Sequence, residues 1–143
     1  MSAPFGVSAS DFLAAIDLVK RVIESLRQST GSAARYQGLI GELYTLELAL
    51  MKVKHLELHE SLGKERIALQ QAAGQCQRTI DGFMKKIAKY QPHLANGGGG
   101  SRLKDMWMKV KWTLCMDEDV RAFQGDLQAH GMSINLMLVA VQS

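Results

Sequence analysis

Four long stretches of this chain repeat apolar residues at steps of three and four, and prolines occur only at Pro4 and Pro92. That spacing is the period of one face of an α-helix. Phe12, Ile16, Val19, Ile23 and Leu26 form the first stripe, widened by Leu13 and Val22. Tyr36, Ile40, Leu43, Leu46, Leu50 and Val53 form the second, and Leu69, Ala73, Cys76, Ile80, Phe83, Ile87 and Tyr90 the third. Both keep the a/d spacing of helices that pack along a seam. Val120, Phe123, Leu127, Ile134, Leu138 and Val141 line the last. The alternating β-branched pattern of strands is missing. The chain is expected to be all-α, an antiparallel bundle of four to five helices in one domain spanning 1–143.

Local signals set the boundaries. Ser10 is the expected N-cap of the first helix, with Asp11 in its first turn and Phe5 or Val7 stapling it. Ser29-Thr30-Gly31-Ser32 is a turn signal that closes it near Gln28. The second helix starts after Ser32. Gly38 and Gly41 weaken its first turns by about 1 kcal/mol each relative to alanine, and leave room for a close neighbour. A break falls near Glu60-Ser61-Leu62-Gly63. The third helix runs from Lys64 to Tyr90, where Pro92 stops it. Gly97 to Gly100 make a flexible surface link. A fourth helix is expected from Ser101 to Leu114, and a fifth from Asp117, whose acidic first turn (Glu118, Asp119) suits a helix start. His130-Gly131 is expected to bend it. The pattern is still apolar and helical at Ser143, which reads as a domain cut from a longer protein.

Bulk properties exclude several classes. A chain of 143 residues buries a working core without staples. Apolar content of 47% against 22% charged residues argues against disorder. The longest apolar run, 136–141, is far short of a membrane span. The N-terminus lacks the pattern of a signal peptide. Cys76 and Cys115 show neither a disulfide framework nor zinc spacing, and both sit in apolar helical patterns. Buried free thiols and a cytoplasmic location, peripheral at a membrane in one reading below, are expected.

Charge is uneven. The formal net charge is +3, yet 85–111 carries seven bases (Lys85, Lys86, Lys89, Arg102, Lys104, Lys109, Lys111) against Asp105 alone. A basic end favours anionic partners. On a helical wheel Leu103, Trp107, Val110 and Leu114 share one side, extended by Met106. Trp112 falls on the far side near Met108, flanked by the lysines. Two readings follow. The helix is sandwiched and buried on both faces, or Trp112 and Met108 form an exposed interfacial tip among lysines, as a membrane-surface helix presents.

No residue set supports catalysis or a cofactor. The glycine run is followed by Ser101-Arg102 rather than the lysine of a phosphate-binding loop. His55 and His59 share a helix face but lack the glutamate of a metalloprotease helix. Cys76 lies in an apolar seam, the opposite of a thiolate niche. No catalytic residue, metal site or cofactor is expected, and nucleic acid is disfavoured because no reading motif is present.

The segments CQRTIDGFMKKIAKYQPHL, RLKDMWMKVKWTLCMDEDVRAFQGDLQAH and SINLMLVAVQ, with the opening GVSASDFLAAIDLVKRVIESLR, resemble the helical N-terminal domain of fungal multidomain proteins, including STAND-type (NLR-like) immune receptors. The most specific part runs from Lys104-Asp105-Met106-Trp107 through Trp112 and Cys115 to Asp117-Glu118-Asp119-Val120. Met116-Asp117 departs from the lysine usual after that cysteine. The resemblance implies a non-enzymatic N-terminal signalling or effector module, followed by further domains such as a nucleotide-binding module. It is architecturally similar to HeLo and plant receptor coiled-coil bundles, several of which oligomerise and act on membranes in cell death. The implied partners are a second copy or another helical protein domain, and anionic lipid. Lys85, Lys86, Lys89, Arg102, Lys104, Met108, Lys109, Lys111 and Trp112 are the expected membrane or partner surface. The competing expectation is an adaptor bundle that grips an acidic protein and has no membrane activity.

Overall fold

A computed structural model describes residues 3–29, 32–56, 63–96 and 102–142, with side chains described for 12–29, 34–56, 63–94 and 106–142. The elements are α1 (Ala3–Gln28), α2 (Ser32–Arg35), α3 (Gln37–His55), α4 (Gly63–Ala88), a 3-10 turn (Pro92–Asn96), α5 (Arg102–Lys109), a second 3-10 turn (Trp112–Leu114) and α6 (Asp117–Gln142). Among the described residues there is no strand. The protein is all-α, as the periodicity dictates.

The apolar stripes become one core. Ile16, Val19, Ile23 and Leu26 meet Leu39, Leu43, Leu46 and Leu50, Leu69, Cys76, Ile80 and Ile87, and Phe123, Leu127, Ile134 and Leu138. Each fully buried side chain of this kind contributes roughly 1.5–3 kcal/mol. Leu13 is exposed instead, since it sits at the stripe's edge.

Pairwise contacts fix the chain directions. Lys20 Nζ lies 4.0 Å from Glu47, while Ser25 and Tyr36 converge on Trp112, so α1 and α3 are antiparallel. Thr79 meets His130, Phe83 stacks on Phe123 and Tyr90 meets Asp119, so α4 and α6 are antiparallel too. Between these two pairs, α3 and α6 run the same way. Gly38 lies under the Gln124 amide, where a Cβ would stand 2.7 Å from Nε2, and Gly131 faces Thr45 Cγ2 at 4.0 Å. The missing side chain at Gly38 is what admits Gln124 this close. Gly41 has open space above it instead.

Some boundaries differ from expectation. α1 passes straight through Ser10, so that serine is not its cap; Pro4 sits in the first turn, where its missing N–H costs nothing. Tyr36 breaks the second helix into α2 and α3 with φ −112° and ψ 32°. α6 stays helical through His130-Gly131. The staple residues Phe5 and Val7 have no described side chains. Thr30-Gly31, Glu60-Ser61-Leu62, His59, Gly97 to Gly100 and Ser101 lie outside the described residues.

Candidate functional site

The end of the bundle formed by the C-terminus of α4, α5 and the N-terminus of α6 holds the predicted basic surface. Its backbone departs from expectation at one decisive place. α5 stops at Lys109, and Lys111 is extended, with φ −95° and ψ 93°. Had the helix continued, Trp112 would point away from Trp107. The break turns it inward instead, and both indoles are sealed in the core. Trp112 is 0% exposed, so of its two expected placements burial holds and the interfacial tip, with Trp112 as a surface residue, is corrected. Burying an indole outweighs a few helical hydrogen bonds worth about 0.5–1.5 kcal/mol each, and the break also makes new ones.

Those new bonds come from far along the chain. Trp112 Nε1–H donates to Ser25 Oγ at 2.8 Å, and Ser25 donates in turn to the Trp107 carbonyl. Tyr36 O–H donates to the Trp112 carbonyl at 2.9 Å. Gln91 Nε2–H donates to the Lys111 carbonyl, and the Lys111 N–H donates back to Gln91 Oε1, each at 3.0 Å. The side chain of Gln91 thus replaces the backbone partners Lys111 loses by leaving the helix. Tyr90 O–H donates to Asp119 and accepts from the Met116 N–H, while His93 Nε2–H donates to the Lys109 carbonyl. Ser25 and Gln91 are the buried polar residues here, and among the described residues no buried side-chain nitrogen or oxygen lacks a partner. Phe83 stacks between these groups, 5.7 Å from Trp112, 6.5 Å from Trp107 and 4.2 Å from Phe123, centroid to centroid.

Outside this sealed cap the lysines divide. Lys85, Lys89, Lys109 and Lys111 are exposed. Lys86 is exposed too, but borders a shallow groove of about 250 Å³ between α4 and α6, where Arg78 joins it and Asp119 and Asp126 balance the two bases. The side chains of Arg102 and Lys104 lie outside the described residues. The exposed apolar residues beside the lysines are Met108, Leu114 and Met116. Leu114, expected inside, has changed places with Trp112. The fold also brings acids to this end. Tyr90 ties Asp119 to the end of α4, Arg35 pairs with Asp117, and Glu118 is exposed between those two acids. The basic stretch of sequence is therefore not a purely basic surface.

The thiols are inert. Burial pushes Cys76 up to about 12 and Cys115 up to about 11, so neither is a thiolate near neutrality. Burial, opposed by Asp126, lowers His130. Among the described residues no three His, Cys, Asp or Glu side chains group as metal ligands, and no helix is long and apolar enough to cross a membrane.

A second surface was not singled out from the sequence. Met132, Leu136 and Val139 are 60%, 69% and 65% exposed on the outer side of α6. Tyr44 and Leu48 are exposed on α3 beside it. The register set by Gly38–Gln124 and Thr45–Gly131 puts Leu48 level with Ile134, between Met132 and Leu136. From 127 to 142, LQAHGMSINLMLVAVQ holds no Asp, Glu, Lys or Arg. Its one titratable side chain, His130, turns to Thr79 on α4. The signal was legible: sixteen helical residues without a formal charge cannot all be core.

No protein-family model matches the chain, and neither a curated protein nor a solved structure is found similar to it.

Proposed function

We propose that this chain is a non-enzymatic helical association module, the signalling or effector end of a fungal STAND-type receptor, which works by docking its α3–α6 face on another helical protein. The observation that carries this reading is the exposed, uncharged outer face of α6 with Tyr44 and Leu48 beside it. Exposed apolar patches of this kind mark association sites on water-soluble bundles. The polar groups at the opposite, lysine-bearing end are spent on holding the cap shut, and the α4–α6 groove has balanced charge. Neither arrangement converges polar groups on a substrate.

The test is a tagged full-length protein expressed in cells as wild type, Leu136→Glu and Lys109→Glu, with bound proteins quantified. Association through α6 predicts that Leu136→Glu strips the bound helical proteins while Lys109→Glu keeps them. The reverse pattern rejects it.

A second reading is engagement of an anionic membrane. Exposed Met108, Leu114 and Met116 beside Lys89, Lys109 and Lys111 favour it. Each such lysine contributes about 1 kcal/mol near an acidic leaflet, and Asp117 and Glu118 oppose it. In this reading Trp112 supports the ledge from beneath and does not touch lipid. Flotation with acidic and with neutral vesicles separates the two: equal recovery removes the membrane reading.

A further inference from the structure

We propose that the groove between α4 and α6 is a binding site for a free α-amino acid with an apolar side chain, held as the zwitterion between the bases of α4 and the acids of α6. This is independent of the association reading, since the groove and the outer face lie on different sides of α6. The charges of the groove balance in sum but are separated in space. Arg78 and Lys86 stand on the α4 bank, and Asp119 and Asp126 on the α6 bank. A field directed across a cleft in this way favours a ligand that is itself dipolar. A plain anion is repelled by one bank and a plain cation by the other.

The packing explains why these opposite charges do not cancel each other. The Tyr90–Asp119, Phe83–Phe123 and Thr79–His130 contacts set an antiparallel register that puts Asp126 opposite Gly82 and Lys86 opposite Ala122. Each charge thus faces a small residue, and Lys86 and Asp126 are staggered by about 6 Å along the helices. No ion pair joins any of the four. The Arg78 guanidinium leans back over Gly74 instead, 3.4 Å from where a Cβ would stand. Asp119 is already oriented, because its Oδ2 accepts from Tyr90 O–H at 2.9 Å. An α-amino acid spans the stagger: its ammonium donates to the aspartates and its carboxylate accepts from Lys86, with a charge-assisted hydrogen bond of about 2.8 Å at each end.

The floor selects the side chain. Nothing lies within 4 Å of a notional Cβ at Gly82, and the buried Phe83 and Phe123 stack beneath at 4.2 Å. The polar group of the floor, Thr79 Oγ1, is tied to His130 Nε2 at 2.8 Å and does not compete. A cavity of about 250 Å³ takes one small molecule and no more. An apolar side chain therefore settles over Gly82 and Ala122, and its charged end bridges the banks. With few atoms and partly exposed charges, the dissociation constant is on the order of 1 mM.

L-leucine titrated into the isotope-labelled protein, followed by amide NMR shifts, tests this. The expected result is saturable shifts confined to 78–86 and 119–126. N-acetyl-leucine, which lacks the ammonium, and leucinamide, which lacks the carboxylate, should each bind about tenfold more weakly, as should leucine itself to Lys86→Gln or Asp126→Asn. Gly82→Leu fills the open space and should abolish the shifts with an unchanged circular dichroism spectrum. Absence of shifts up to about 50 mM leucine, well past that dissociation constant, overturns the proposal. So does equal binding of either single-charge analogue, or shifts that survive Gly82→Leu. Tighter binding of phosphorylcholine than of leucine overturns the amino-acid assignment, because the site would then read a phosphate and a quaternary ammonium.

Discussion

The cap at the lysine-bearing end and the outer face of α6 handle exposure in opposite ways. In the cap, two indoles are sealed and the polar groups around them are paired, through Ser25, Tyr36, Gln91 and Tyr90. On α6, Met132, Leu136 and Val139 stand largely exposed without a charge among them. The cap spends its chemistry on the molecule itself. The α6 face leaves its apolar surface available to something else. Richness in lysine and tryptophan thus points to the structurally committed end, and plainness to the surface proposed to bind.

Substitutions can break or sharpen this contrast. The largest effect belongs to Trp112→Ala. Truncating a fully buried aromatic costs about 3–5 kcal/mol, and urea unfolding should show it as a large drop in midpoint. A loss within about 0.5 kcal/mol would mean that the indole is not sealed. Ser25→Ala comes next. It leaves the Trp112 N–H and the Trp107 carbonyl without their shared partner, a cost of about 1–3 kcal/mol, with Ser25→Thr tolerated better only if the added methyl fits.

Alkaline pH acts on the same interior. Burial pushes Cys76 up to about 12, Cys115 up to about 11 and Tyr90 up to about 12. The unfolded thiols ionise near 9. Stability is thus fully present below pH 9 and is lost as pH climbs toward 12, because the unfolded state releases protons first. Thermal melts should fall over that window, and Cys76→Ala should flatten the fall. In the native state at pH 8 both thiols should resist a thiol reagent that labels them in urea. The smallest stability effect is that of Leu136→Glu, within about 0.5 kcal/mol for a surface change, although the same substitution is expected to abolish association. Substantial destabilisation by it would mean that the α6 face is structural after all.

The helices were legible because burial repeats with the helical period. Leu43, Leu46, Leu50, Cys76, Ile80 and Phe83 are all where their spacing puts them. The exchange of Trp112 and Leu114 was not legible. A helical wheel assumes an unbroken helix, and the break at Lys111 depends on partners 20 to 87 residues away in sequence. The shared direction of α3 and α6 was equally hidden, since Gly38 and Gln124 carry no local sign of meeting. The acids at the start of α6 were read correctly as helix-start chemistry. That they would stand beside the lysines follows from the Tyr90–Asp119 bond, which spacing alone does not reveal. Of the nine residues expected at the binding surface, Lys85, Lys86, Lys89, Met108, Lys109 and Lys111 are exposed and Trp112 is not.

Tryptophan fluorescence reaches the heart of the contrast, because the two indoles of the chain both lie in the cap. The account predicts blue-shifted emission and little quenching by acrylamide, with or without acidic vesicles present. Red-shifted emission that acrylamide quenches readily, or an indole that becomes protected only when vesicles are added, would contradict a cap closed upon itself.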